Sequence, residues 1–266
     1  MKNFCLIGKK LEHSLSPYIY NYVFNHLKID AQYKLVSLNS KEEIPSIISS
    51  VSRGEIDGIN ITNPYKVDVF NYLDSHDSVA YNIGSINCVS QYKDQAKGFN
   101  TDWRGFQRAT EGIMSDCISI IGYGGAGKAV EYALLSEGVN NIRIYTREKI
   151  NHPNNVVYKD IDQIFDQTKQ KEAIIINATP RHFINEIDFD KILFLSSEKL
   201  IWIDLLYTKL STERRKYFDS NSYKNGIDML IYQAFESLNI WFRKDVAKDV
   251  DFNSLKSYLE RVNDVI

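Results

Sequence analysis

Cys117-Ile118-Ser119-Ile120-Ile121-Gly122-Tyr123-Gly124-Gly125-Ala126-Gly127-Lys128-Ala129 is the stretch on which the fold is decided. The apolar run Cys117 to Ile121 reads as a strand buried on both faces. It passes directly into G-x-G-x-x-G, and a helical pattern then runs to Glu137. A glycine triplet alone says little, but between a strand and a helix it has a mechanism. Gly122 permits the tight turn. Gly124 lets the backbone approach a pyrophosphate, with Gly125 and Ala126 beside it, and Gly127 lets the helix pack on the strand. The first N–H groups of the helix have no partner inside it and face the anion. The same residues also spell the opening of a nucleotide-triphosphate loop, G-x-x-x-x-G-K. That loop needs Ser or Thr next, to hold magnesium, and here Ala129 follows. A kinase or ATPase is thereby disfavoured.

The following strand, about Asn141 to Tyr145, ends on Tyr145-Thr146-Arg147-Glu148-Lys149. Sites for the unphosphorylated dinucleotide usually carry an acid at this tip to bond the ribose 2′-hydroxyl. A hydroxyl and a guanidinium suit a 2′-phosphate better, so the cofactor is expected to be NADP, with Thr146 and Arg147 at its phosphate.

Working outward, short apolar runs alternate with helical patterns, the rhythm of βαβ units and a mainly parallel sheet. Strands are expected at Phe4–Ile7, Gln32–Leu38, Ile56–Thr62, Ala173–Asn177 and Leu200–Leu206, with Ser85–Tyr92 and Ala96–Asn100 as a strand pair. Ser16-Pro17 opens a helix, with Ser16 as its cap. Ser40 and Glu43 make a possible capping box for a helix that Gly54 ends. A helix follows Pro64, and helices are also expected from Gly226 through Phe242 and over about Phe252–Val262. The rhythm restarts after Asp102. This predicts an α/β protein of two domains, an N-terminal α/β domain over 1–101 and a Rossmann-type dinucleotide domain over 102–225. The helices of 226–266 should return to the first domain.

Composition agrees with a globular protein. Of 266 residues, 44% are hydrophobic and 25% charged, and the formal net charge is -2, with no basic run for nucleic acid or an anionic membrane. No apolar stretch approaches the roughly 20 residues of a membrane helix, and the N-terminal apolar run is too short for a signal peptide. Cys5, Cys88 and Cys117 are odd in number and far apart, suiting neither a disulfide framework nor a metal site. A cytoplasmic protein, a monomer or homodimer without metal, is expected.

Three polar clusters lie where loops follow strands, the place at which α/β sheets put ligands. They are Glu12-His13-Ser14-Leu15-Ser16-Pro17, Gly58-Ile-Asn60-Ile-Thr62-Asn-Pro64-Tyr-Lys66, and Gly98-Phe-Asn100-Thr101-Asp102-Trp-Arg-Gly105. Read without comparison, each could equally be a turn or a helix cap.

Taken together, and with Gly84-Ser85-Ile86-Asn87, Asn177-Ala178-Thr179, Asp204-Leu205-Leu206-Tyr207 and Gly226…Met229-Leu230…Gln233, these motifs closely resemble the shikimate dehydrogenase family. They run in order from residue 8 to residue 241. The resemblance implies reversible, NADPH-dependent reduction of 3-dehydroshikimate to shikimate, in chorismate and aromatic amino-acid biosynthesis. Its sister reading is an NAD-dependent quinate/shikimate dehydrogenase. It further implies Lys66 and Asp102 as the catalytic pair and Ser14 and Ser16 at the substrate carboxylate. Thr62, Asn87, Tyr207 and Gln233 would lie on the substrate, and Leu205 and Gly226 on the cofactor with the glycine loop. Chemistry supports the pair: oxidising a secondary alcohol releases a hydride and a proton, and the nicotinamide takes only the hydride. A solvated lysine, with a pKa near ~10.4, is a poor base, and burial beside a carboxylate tunes and positions it. Tyr20 stands where the family usually has His, Cys88 where it has Thr, and Arg147 one residue later than the family's arginine.

Overall fold

The computed structural model describes residues 1–113, 115, 117–157, 173–179, 200–207, 215–219 and 222–263. Two compact units emerge, Met1–Ala109 with Met229–Ile266, and Thr110–Asp228.

The first unit is built on a six-stranded sheet. In chain order its strands are β1 (Lys2–Gly8), β2 (Ala31–Ser37), β3 (Gly58–Ile61), β4 (Ser75–His76), β5 (Cys88–Tyr92) and β6 (Gln95–Phe99). Their spatial order is β2-β1-β3-β5-β6-β4. β1 runs parallel to β2 and β3, whereas β5 is antiparallel to both β3 and β6. The sheet is mixed, with β4 parallel to β6 as well, and its antiparallel part includes the tight hairpin of β5 and β6 over Lys93-Asp94, both left-handed with φ of 50° and 58°. Helices α1 (Ser16–His26), α2 (Ile44–Ser52), α3 (Ser78–Ile83) and α4 (Asp102–Ala109) belong to this unit, as do α6 (Ile227–Phe242, from Met229 on) and α7 (Phe252–Asn263). A core of Ile7, Ile44, Ile48, Val51, Ile59, Ile61 and Val69 is buried with α2, and area of this kind is the main driving force for folding.

Several local expectations are corrected. Ser16 is not the cap of α1: the cap position is Leu15, and Ser16 and Pro17 are the first helical residues. The serine that meets the open end is Ser14, whose Oγ accepts from the Ser16 N–H at 3.3 Å. The segment after Pro64 forms turns and a 3-10 helix, Asp68–Tyr72, instead of an α-helix. Glu43 does bond back to the Ser40 N–H at 3.1 Å, but the box opens a 3-10 turn that runs on into α2. α3 is an element the sequence pattern missed. Asp77 caps it by accepting from Ala80 N–H at 2.7 Å, and left-handed Gly84 closes it.

The second unit has a parallel sheet of β7 (Ile118–Ile121), β8 (Ile142–Thr146), β9 (Asn155–Val157), β10 (Ala173–Asn177), β11 (Leu200–Asp204) and β12 (Tyr223–Lys224). The order is β12-β11-β10-β7-β8-β9, so the strand before the glycine loop lies at the reversal of strand order, where doubly wound sheets bind ligands. Helix α5 (Gly125–Ser136) follows the loop. No helix among the described residues is long and apolar enough to cross a membrane.

Candidate active site

In the first unit, three strand-end loops converge on one ion pair. Lys66 follows the end of β3, and its backbone carbonyl accepts from Ile86 N–H at 2.8 Å, which ties its loop to the segment before β5. Asp102 is the first residue of α4, where the helix N-terminus favours negative charge. Lys66 Nζ donates to Asp102 Oδ2 at 2.6 Å, with both side chains largely buried, at 18% and 6% exposure. Such a pair is costly to break by removing one partner, because the other charge is left buried.

Asn87 holds the other carboxylate oxygen, donating from Nδ2 to Asp102 Oδ1 at 2.8 Å and to Thr101 Oγ1 at 2.9 Å. Its Oδ1 accepts from Thr101 N–H at 2.6 Å. Gln233 on α6 completes the cluster, with Oε1 at 3.4 Å from Asn87 Nδ2 and 3.5 Å from Thr101 Oγ1. Gln233 reaches that position because α6 lies directly on α4 at Gly105. A Cβ there would stand 2.7 Å from Met229 O and 2.9 Å from Gln233 Cβ. The structure thus brings Lys66, Asp102, Asn87 and Gln233 together. It adds Thr101, whose only signal in the sequence was its place in Asn100-Thr101-Asp102. Ser14 and Ser16 sit at the start of α1, with Ser16 beside the Tyr33 hydroxyl. Thr62 is half-buried at the end of β3.

In the second unit, Gly122 is left-handed with φ 90°, and a Cβ at Gly127 would strike Gly122 O. Both positions therefore require glycine. Among the described residues nothing lies within 4 Å of where a Cβ at Gly124 would stand, and none of their side chains caps α5 there. The first N–H groups of a helix have no partner within it, and a glycine turn at their end fits a pyrophosphate. Asn177 and Asp204 are fully buried at the ends of β10 and β11 and bond each other at 2.9 Å. Leu205 lies against Gly226, where a Cβ would meet Leu205 O, so the structure joins these two residues. Tyr207 follows, half-buried. At the tip of β8, Arg147 is exposed. Thr146 Oγ1 donates to Glu148 O at 2.6 Å and accepts from Asn155 Nδ2 at 2.6 Å, so its hydroxyl holds the loop of the tip itself.

Residues 6–89 match the family described as the shikimate dehydrogenase substrate binding domain. Over 256 residues the chain is 33% identical to a protein of Clostridium beijerinckii named shikimate dehydrogenase (NADP(+)), covering 91% of this chain and 92% of that one. A protein of the same name from Caldicellulosiruptor saccharolyticus is 33% identical over 259 residues, with 91% and 92% covered. Among solved structures, shikimate dehydrogenase 1 from Peptoclostridium difficile superposes with a TM-score of 0.79 at 29% identity, over 100% of this chain and 98% of that one. On a likeness that covers nine-tenths of both sequences, the chain belongs to the shikimate dehydrogenase family.

Proposed function

We propose that this chain catalyses the reversible, NADPH-dependent reduction of 3-dehydroshikimate to shikimate. Its first unit is the substrate-binding catalytic domain and its second the NADP domain. The observation that carries this reading is the 2.6 Å Lys66–Asp102 pair, buried and held from its far side by Asn87. When bound, the nicotinamide supplies or removes the hydride. As the substrate carbonyl is reduced, the Lys66 ammonium gives a proton to its oxygen. In the reverse direction the Lys66 amine takes the hydroxyl proton, and Asp102 holds the lysine in place for both transfers.

Ser14 and Ser16 are proposed to hold the substrate carboxylate. Ser14 Oγ accepts from a backbone N–H, which leaves its hydrogen to donate, and the first turn of α1 favours an anion. Thr62, Asn87, Tyr207 and Gln233 are proposed on the substrate's remaining oxygens. Both amide hydrogens of Asn87 go to Thr101 and Asp102, so Asn87 would turn from one of these partners to reach a hydroxyl. Gly122, Gly124, Gly125, Ala126, Leu205 and Gly226 are proposed to hold the dinucleotide, with Thr146 and Arg147 at the 2′-phosphate end. Thr146 would serve there by shaping the tip that carries Arg147. Steady-state rates with shikimate or quinate against NADP or NAD, in all four pairings, test the reading. Fastest turnover is expected for shikimate with NADP. Faster turnover of quinate with NAD would replace this reading with its sister activity.

A further inference from the structure

Behind the ion pair lies a run of buried polar side chains that the reaction itself does not call for. Tyr20 on α1 and Tyr33 on β2 stack at 4.1 Å, and both hydroxyls lie 2.8 Å from Asn60 Oδ1. Asn60 Nδ2 is 3.2 Å from the carbonyl oxygen of Asn87 and 3.0 Å from Ser237 Oγ. Ser237 is 3.0 Å from the carbonyl oxygen of Gln233 and 3.2 Å from Thr101 Oγ1. Thr101 and Asn87 then lead to Asp102. Tyr20, Tyr33, Asn60, Ser237, Thr101, Asn87 and Asp102 are all buried.

The amide and phenol groups of this run are fixed in direction by their partners. The Asn87 carbonyl can only accept, so Asn60 must turn its NH₂ toward it, and its Oδ1 must face the two tyrosines. Both phenols therefore donate. Burial pushes both phenols well above the ordinary tyrosine value, so they remain donors across the range of an assay. Ser237 donates to the Gln233 carbonyl, and the one hydroxyl hydrogen of Thr101 has Ser237 Oγ and Gln233 Oε1 as its acceptors. That leaves Thr101 Oγ1 as an acceptor for Asn87. The Thr101 N–H fixes Asn87 Oδ1, so Nδ2 must point at Asp102. Asp102 Oδ1 is thereby occupied, and Oδ2 is the oxygen left for Lys66.

We propose that Asn60, clamped by Tyr20 and Tyr33, is a positioning residue that acts through Ser237, Thr101 and Asn87 to aim Asp102 at Lys66. The proposal rests on the reading of Lys66 and Asp102 as the catalytic pair. Without Tyr20 one of the two donors that hold the Asn60 amide is gone. The amide then has freedom to turn, and the direction of the whole run is less firmly set.

The test is a double-mutant cycle on kcat for shikimate oxidation, using wild type, Tyr20→Phe, Asp102→Asn and the double variant. Tyr20→Phe should lower kcat about two- to thirtyfold, the range for residues coupled to a site through a network. It should leave the NADP dissociation constant unchanged and shift the pH profile of kcat. In the Asp102→Asn background the same change should have no further effect on kcat. A hydroxyl that serves stability alone would lower the melting temperature but leave kcat below it intact, which overturns the proposal. Equal loss of kcat in both backgrounds overturns it too, since the effect would then bypass Asp102. Should Tyr20→Phe not fold, Ser237→Ala in the same cycle carries the same expectations. Lys66→Ala assayed in parallel separates the two readings. If it keeps full turnover, the catalytic pair itself is misassigned. If it is inactive while Tyr20→Phe and Ser237→Ala behave as wild type, only the network falls.

Discussion

Replacing Gly105 by Ala probes how Gln233 is held at the site. The new Cβ would stand 2.7 Å from Met229 O, 2.9 Å from Gln233 Cβ and 3.0 Å from Gln233 N. Ordinary contacts need roughly 3.5 Å, and two of these three neighbours are backbone, so no rotamer change relieves them. α4 and α6 must part by about half an ångström or more, at the overpacking cost of roughly 1–3 kcal/mol. Ala in a helix interior returns about 1 kcal/mol relative to Gly. The net loss is about 0–2 kcal/mol, which for a chain of this size lowers Tm by up to roughly 8 °C. The separation also carries Gln233 Oε1 away from Asn87 and Thr101, where its contacts are already long at 3.4 and 3.5 Å. KM for shikimate should therefore rise severalfold while KM for NADP stays put. Thermal melts and steady-state kinetics on purified Gly105→Ala decide it. A Tm equal to or above wild type with an unchanged shikimate KM would refute the argument, because it would mean that the helices do not meet as closely as described.

Other perturbations read out separate parts of the site. Lys66→Ala should cut kcat about 10²–10⁴-fold, the usual contribution of a general acid–base group, with NADP affinity measured by fluorescence titration little changed. Arg147→Ala should weaken NADP much more than NAD, since a charge-assisted contact to a phosphate is lost; equal weakening of both would place the 2′-phosphate elsewhere. Burial pushes the Cys5 and Cys88 thiols up to about 12 from the ordinary 9.0. In the native protein both should resist a thiol-specific disulfide reagent at pH 8 and react only on unfolding. The sign for stability follows. The unfolded chain releases these protons near 9.0 while the folded chain keeps them to about 12, so their contribution is intact below 9 and lost as pH rises toward 12. Denaturant midpoints measured from pH 8 to 11 should fall, and a flat or rising series would contradict the burial of the two thiols.

Legibility in the sequence followed the range of the interaction. β7 and β10 were plain because strands covered on both faces are apolar throughout, and the glycine loop was plain because its constraints act within six residues. α3 was missed although Asp77 and Gly84 mark its ends, since six helical residues carry too little periodicity to stand out. The rhythm that restarts after Asp102 puts the expected boundary there, whereas α4 runs from Asp102 to Ala109 and belongs with the first unit. The capping error at Ser16 arose because Ser14 and Ser16 are equally good caps, and only the backbone of Leu15 shows where the helix begins. The positions of Lys66 and Asp102 were readable through motif order, but their contact spans 36 residues. Asn60 bonds Ser237 across 177 residues. No pattern within one sequence pairs residues that far apart, which is why the support behind the ion pair was invisible before the fold was known.

The first unit is completed by α6. Trp241 on α6 stacks on Phe4 of β1 at 4.5 Å and donates to the Val89 carbonyl of β5 at 3.0 Å, and Ser237 and Gln233 come from the same helix. The first and last segments of this unit are separated by Thr110–Asp228, which is one continuous piece. During synthesis, then, the order of completion is reversed with respect to the order of sequence. The ribosome has released the whole nucleotide-binding segment, free to fold, before α6 emerges to cover β1. Until then residues 1–109 lack Trp241, and a chain stalled short of α6 holds Lys66 and Asp102 without Ser237 and Gln233.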